Sequence, residues 1–151
     1  MHHFSTTRRL LRILLVEDEP ADAHLIRLAF EANALPVDLA HVRDGIDALC
    51  YLRQEGSYAQ ASAPDLILLD LNMPRMDGKT LLKALKADHQ LRSIPVVVLT
   101  TSEAESDIVA SYALCAAGFM VKPLEVDDFI RQIGMLEHYW HEIMRLPSEG
   151  S

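Results

Sequence analysis

Residues 65–78 read DLILLDLNMPRMDG. Four aliphatic residues, Leu66 to Leu69, run without interruption into Asp70, and a loop containing Pro74 leads to Gly78. A strand with one wet face alternates apolar and polar residues. A continuous run is instead the mark of a strand covered on both faces, as in a parallel sheet. A carboxylate at the end of such a strand either caps a turn or stands where it can react.

Two further runs have the same character, ILLV (Ile13 to Val16) and VVVL (Val96 to Leu99). Two weaker ones, VDLAHV (Val37 to Val42) and GFMV (Gly118 to Val121), fit outer strands. Helical spacing fills the gaps. Ala21 to Ala32 carries Leu25, Ile26, Leu28, Ala29 and Phe30, with Pro20 at the first turn, where its missing N–H costs nothing. Asp44 to Arg53 carries Ile46, Leu49, Cys50 and Leu52. Lys79 to Ala87 carries Leu81, Leu82 and Leu85. Ser102 and Glu105 form a capping-box pattern for a helix over Glu103 to Ala117. The longest pattern, Glu125 to Met144, repeats Phe129, Ile130, Ile133, Leu136, Trp140 and Ile143. Five strands alternating with five helices predict a (βα)5, doubly wound α/β fold. The segment GSYAQASAP (Gly56 to Pro64) reads as a surface excursion.

The 151 residues fit one domain, expected over 10–146, with flexible ends at 1–9 and 147–151. Half the residues are apolar, and 14 basic against 22 acidic residues leave a net charge of −8. That balance excludes a nucleic-acid partner, which needs a concentrated basic surface. Cys50 and Cys115 are too few for a disulfide framework and read as small buried hydrophobes in a reducing compartment. No apolar run approaches a membrane span, so a cytoplasmic protein is expected. DGKT (Asp77 to Thr80) ends like a phosphate-binding loop, but the required first glycine falls on Met73. His138 and His141, set between Glu137 and Glu142, fit a solvated helix face better than a metal pair.

In open α/β sheets, ligands bind beyond the carboxyl ends of the strands. Those ends offer Glu17 and Asp18 after the first run, Asp70 at the third, Thr100 after the fourth and Lys122 after the fifth. Each alone has an ordinary reading as a cap or turn residue. Together they bring three carboxylates, a hydroxyl and an ammonium to one rim. Clustered carboxylates repel unless a cation intervenes, and a hard divalent ion such as Mg²⁺ satisfies them. A carboxylate oxygen left over can attack a phosphoryl group, with Lys122 neutralising charge and Thr100 donating a hydrogen bond.

In this respect the sequence resembles the receiver domains of two-component response regulators. The matching pieces are LLVEDEPAD, LILLDLNMPRMDG, VVVLTTS and GFMVKP, in family order across roughly Leu11 to Met144. The resemblance implies a flavodoxin-like five-stranded sheet of order 2-1-3-4-5. It implies that Asp70 accepts a phosphoryl group from a histidine kinase. It also implies direct ligation of Mg²⁺ (or Mn²⁺) by Asp18, Asp70 and the Asn72 backbone carbonyl, with Glu17 acting through water. Thr100 resembles the switch hydroxyl and Phe119 its coupled aromatic, which moves the face formed by the fourth helix, fifth strand and fifth helix. The Lys122–Pro123 bond is usually cis in that family. Glu17-Asp18 stands where many members have two aspartates, and Phe119 where many have tyrosine.

A narrower similarity is to the stand-alone receivers that serve bacterial and cyanobacterial phytochromes. It rests on VEDEPADAHLI, VRDGIDAL, PDLILLDLN, IPVVVLTTS and YWHEIMRLP. It implies a phytochrome-type kinase, including bacteriophytochromes, as the phosphoryl donor. The outer face of the first helix, around Pro20, Ala23, His24 and Arg27, is the expected docking surface. The last helix should reach the sheet edge near Tyr139, leaving Trp140, Ile143, Met144 and Leu146 to cover a second copy in a homodimer. Two other readings stand beside this one: an Mg-dependent aspartyl-phosphate phosphatase of haloacid-dehalogenase type, and an adaptor that is not phosphorylated.

Overall fold

Parity along the strands sorts the core of this protein into two layers. The computed structural model describes residues 11–33, 37–71, 78–100, 118–121, 125, 127–136 and 138. Leu14, Val16, Ile67, Leu69, Val96 and Val98 face one side, against Ala48, Leu49, Leu81, Leu82 and Leu85. Their alternates, Ile13, Leu15, Leu66, Leu68, Val97 and Leu99, face the other, against Ile26, Ala29, Phe30, Phe129, Ile133 and Leu136. Both faces are dry. That is why the runs are apolar at every position instead of alternating.

The strands are β1 (Leu11–Val16), β2 (Val37–Val42), β3 (Leu66–Asp70), β4 (Val96–Thr100) and β5 (Gly118–Val121). They form one parallel sheet of order β2-β1-β3-β4-β5. Helices α1 (Pro20–Ala32), α2 (Gly45–Leu52) and α3 (Gly78–Ala87) follow the first three strands, and residues 127–136 are also helical. β3 and β4 each extend one residue past the apolar run, so Asp70 and Thr100 are themselves terminal strand residues. The helix expected over Glu103 to Ala117, and Cys115 within it, lie outside the described residues. So does the end of the last helix from Tyr139 onward.

Several local features differ from the sequence reading. Leu28 and Ile46, counted on apolar stripes, are 42% and 43% exposed, because each helix seats a narrower arc than its apolar residues span. Cys50 is half-buried and not a core residue. Asp44 lies outside α2 as its cap, its carboxylate accepting from the Asp47 N–H at 2.9 Å. The excursion at Gly56 holds a short 3-10 turn (Gly56–Tyr58), where Tyr58 packs on Tyr51 with ring centroids 5.3 Å apart. Burial raises both phenols above their ordinary pKa. Asp65 does more than open a strand. Its carboxylate accepts from the Arg12 N–H at 2.9 Å while its own N–H donates to the Arg12 carbonyl at 2.7 Å. This pair fixes the start of the β1–β3 register.

Asn33 joins two helices. Its side-chain amide donates to the Ala29 carbonyl at the end of α1 (2.8 Å) and to the Ile130 carbonyl of the last helical segment (2.9 Å). Gly134 makes room for it, since a Cβ there would sit 2.8 Å from Asn33 Oδ1. The first bond reinforces a carbonyl that also accepts from the Asn33 backbone N–H at 3.3 Å, and the second ties the end of α1 to the interior of the neighbouring helical segment. Asn33→Ala is expected to lower the unfolding free energy by about 1–2 kcal/mol, read from the urea midpoint.

Candidate functional site

Register decides which side chains meet. Val16 stands opposite Leu69, so the next residues, Glu17 and Asp70, reach the same level at the carboxyl edge of the two central strands. Asp70 is paired with Leu99, and Thr100 with Val121, at the same edge.

The chain is held tightly at this edge. The Glu17 N–H donates to the Val42 carbonyl at 3.0 Å, continuing the ladder one step past β1. The Glu17 carbonyl lies 2.7 Å from His41 Nε2, and its Oε2 accepts weakly from the Glu19 N–H at 3.3 Å. Beyond Asp70, the Leu71 N–H donates to the Leu99 carbonyl at 3.2 Å. The Gly78 N–H donates to the Leu71 carbonyl at 3.1 Å. Gly78 therefore packs on the backbone of β3. A Cβ at 78 would lie 2.6 Å from the Asp70 carbonyl oxygen and 2.7 Å from Leu71 Cα. The glycine is needed for close approach, and its role goes beyond the turn into α3.

Glu17 is 1% exposed and Asp70 3%, while Asp18 is half-buried. One carboxylate oxygen from each lies within 4.8 Å of the others. At an effective dielectric of about 20, each such pair of charges repels by roughly 3 kcal/mol. Either a carboxyl takes up a proton or a cation enters. Three converging hard oxygen donors, two of them almost fully buried, suit a small divalent ion. The open side of Asp18 leaves room for water or a phosphoryl oxygen.

The other expected site residues divide clearly. Thr100 and Phe119 have their backbones in β4 and β5, but their side chains, with Asn72, Lys122 and Pro123, lie outside what is described. So do Tyr139, Trp140, Ile143, Met144 and Leu146. On α1, Pro20, His24 and Arg27 are exposed. Ala23 is not: it is 8% exposed and packs with Ile26 and Phe30 in the core, three and seven residues along the same face. It drops out of the docking surface. The sequence reading missed His41 altogether. Its signal lies only in the ladder, which pairs His41 with Leu15, two residues before Glu17.

A doubly wound sheet with an acidic pocket at the ends of its central strands defines a class of phosphoryl-handling α/β proteins. Residues 13–134 match the response regulator receiver domain, and the chain belongs to this family. It is 40% identical over 136 residues to the response regulator Rcp1 of Synechocystis sp., covering 90% of this chain and 92% of that one. Among solved structures, the phosphorylated cyanobacterial phytochrome response regulator RcpA superposes with a TM-score of 0.79 at 45% identity. That match covers 87% of this chain and 94% of the other. The Mn²⁺-bound form of Rcp1 gives 0.76 at 40% identity, covering 85% and 93%. No helix among the described residues is long and apolar enough to cross a membrane.

Proposed function

We propose that this protein is a phosphorylation switch in which Asp70 of the receiver domain accepts a phosphoryl group from the phosphohistidine of a histidine kinase. The observation that carries the reading is the convergence of Glu17, Asp18 and Asp70 within 4.8 Å at the edge of the two central strands. An Asp70 oxygen attacks phosphorus, the new O–P bond forms, and the P–N bond to the imidazole breaks. The departing ring nitrogen takes a proton from water. Mg²⁺, when bound, would supply charge neutralisation for the phosphoryl oxygens. Asp18 and Asp70 would hold it, with the Asn72 carbonyl as a third protein ligand and Glu17 acting through water. Lys122 balances the remaining charge, Thr100 moves toward the new phosphoryl group, and Phe119 follows.

The same proposal makes a phytochrome-type kinase the donor, supported by the similarity of this chain to solved cyanobacterial phytochrome and bacteriophytochrome response regulators. Donor docking then uses Pro20, His24 and Arg27 on α1. The receiver unit spans 10–146 and works in the cytoplasm, and its arm, Tyr139 to Leu146, pairs with a second copy. Family membership over residues 13–134 speaks against the haloacid-dehalogenase reading, whose nucleophile belongs after the first strand.

The test is transfer of labelled phosphate from a phosphorylated histidine kinase. The expected result is at most one label per chain, dependent on Mg²⁺ and lost with a chelator. Transfer indifferent to chelator, or repeated turnover of a small phosphate ester, would overturn the proposal.

A further inference from the structure

The peptide that joins Glu17 to Asp18 is oriented by a residue from the neighbouring strand. β1 ends at Val16, and the last ladder bond beyond it is Glu17 N–H to the Val42 carbonyl. β2 ends at the same level, and its chain then turns into the Asp44 cap of α2. No strand residue beyond Val42 remains to engage the Glu17 carbonyl. The His41 ring does so instead, with Nε2 2.7 Å from that oxygen. A carbonyl oxygen only accepts, so Nε2 carries a hydrogen and donates. Two successive residues of β2 therefore hold both polar groups of Glu17, Val42 its N–H and His41 its C=O.

The consequence falls on Asp18. The Glu17 carbonyl lies in the same rigid peptide plane as the Asp18 nitrogen, so fixing one fixes the direction from which Asp18 departs. Asp18 lies in a bend outside any strand or helix. Without the His41 bond this plane could rotate about the bonds flanking it, moving the Asp18 carboxylate relative to the buried Glu17 and Asp70. Loss of a group that orients a metal ligand typically costs about 10–100-fold in metal affinity.

We infer that His41 is a positioning residue for the acidic pocket: its Nε2–H holds the Glu17–Asp18 peptide so that Asp18 meets a divalent cation together with Asp70. The inference rests on the metal site proposed above. Asp38, on the same strand, is exposed like His41 but has no such bond to the acid pair among the described interactions.

The experiment measures Mn²⁺ affinity by water-proton relaxation on wild type, His41→Ala, His41→Gln and Asp18→Asn, with urea midpoints alongside. Wild type should bind, Asp18→Asn should bind poorly, and His41→Ala should bind about tenfold more weakly. His41→Gln, whose amide can donate from a similar reach, should recover most of the affinity. If His41→Ala lowers the urea midpoint but leaves Mn²⁺ affinity unchanged, His41 is only structural and the inference is overturned while the metal site stands. Equal losses in the alanine and glutamine variants would also overturn it, since the donated hydrogen bond would not be the cause. Failure of wild type to bind Mn²⁺ would overturn the metal site and the inference together.

Discussion

Asp70→Asn is expected to reduce label transfer to background, a loss of about a thousandfold or more, and to make the metal-free protein more stable. The first effect follows because an amide oxygen carries no charge with which to attack phosphorus, and no other group replaces a missing nucleophile. The second follows from electrostatics. Asp70 is 3% exposed and shares a space within 4.8 Å with two other carboxylates. Removing one charge of three, with size and shape nearly kept, relieves part of that repulsion. A gain of about 1–2 kcal/mol is expected, smaller than the bare Coulomb figure because solvent and neighbouring dipoles screen the cluster. Thermal unfolding should rise by roughly 2–8 °C. The linkage to metal runs in the opposite direction. Mg²⁺ at a hundred times its dissociation constant should stabilise wild type by about 2.7 kcal/mol, and the variant distinctly less. Thermal melts with and without Mg²⁺ check both signs on the same samples. An ordinary buried polar residue would give a destabilised variant and no metal dependence.

The second large effect concerns Gly78. Its absent side chain would meet backbone atoms, the Asp70 carbonyl oxygen at 2.6 Å and Leu71 Cα at 2.7 Å. A flexible side chain could swing away from such a contact, whereas a strand in the middle of a five-stranded sheet cannot. Gly78→Ala must therefore push α3 off β3 or shift the end of β3 itself. The expected loss is about 3 kcal/mol, with the melting temperature falling by roughly 6–12 °C. The displaced group is the mount of Asp70, so phosphoryl transfer by the folded variant should also slow. Urea unfolding gives the first number, and transfer assayed well below the melting temperature gives the second. The equivalent change at Gly56, where nothing lies within 4 Å but φ is +58°, should cost less and leave transfer alone.

The sequence already contained most of the fold, for a physical reason. Leu66 to Leu69, Ile13 to Val16 and Val96 to Leu99 are apolar at every position because two helical layers cover the sheet, and only parallel central strands meet that condition. The acidic pocket was legible for the same reason, since its members terminate those runs. What escaped was whatever depends on register or close approach. His41 reaches Glu17 only because β1 and β2 are aligned residue for residue, which no local pattern reveals. The need for glycine at 78 arises from Asp70 and Leu71, eight and seven residues earlier in the chain. Ala23 is a different case. Its spacing from Ile26 and Phe30 already placed it on the buried stripe, and its small size, more than its position, gave it the look of a surface residue. Leu28 and Ile46 show the reverse, with apolar character exceeding the arc that a helix can seat on a sheet.

The most direct measurement is chemical trapping of the phosphorylated protein. A carboxylate that has accepted a phosphoryl group is a mixed anhydride, and borohydride reduces its acyl carbon to an alcohol with loss of phosphate. Aspartate becomes homoserine, a mass change that peptide sequencing by mass spectrometry locates. After reaction with a phosphorylated kinase and Mg²⁺, homoserine is expected at position 70 and at no other aspartate, and it should be absent when the kinase is omitted. Homoserine at position 18, or phosphoprotein that carries label without any reducible carboxyl, would contradict the account.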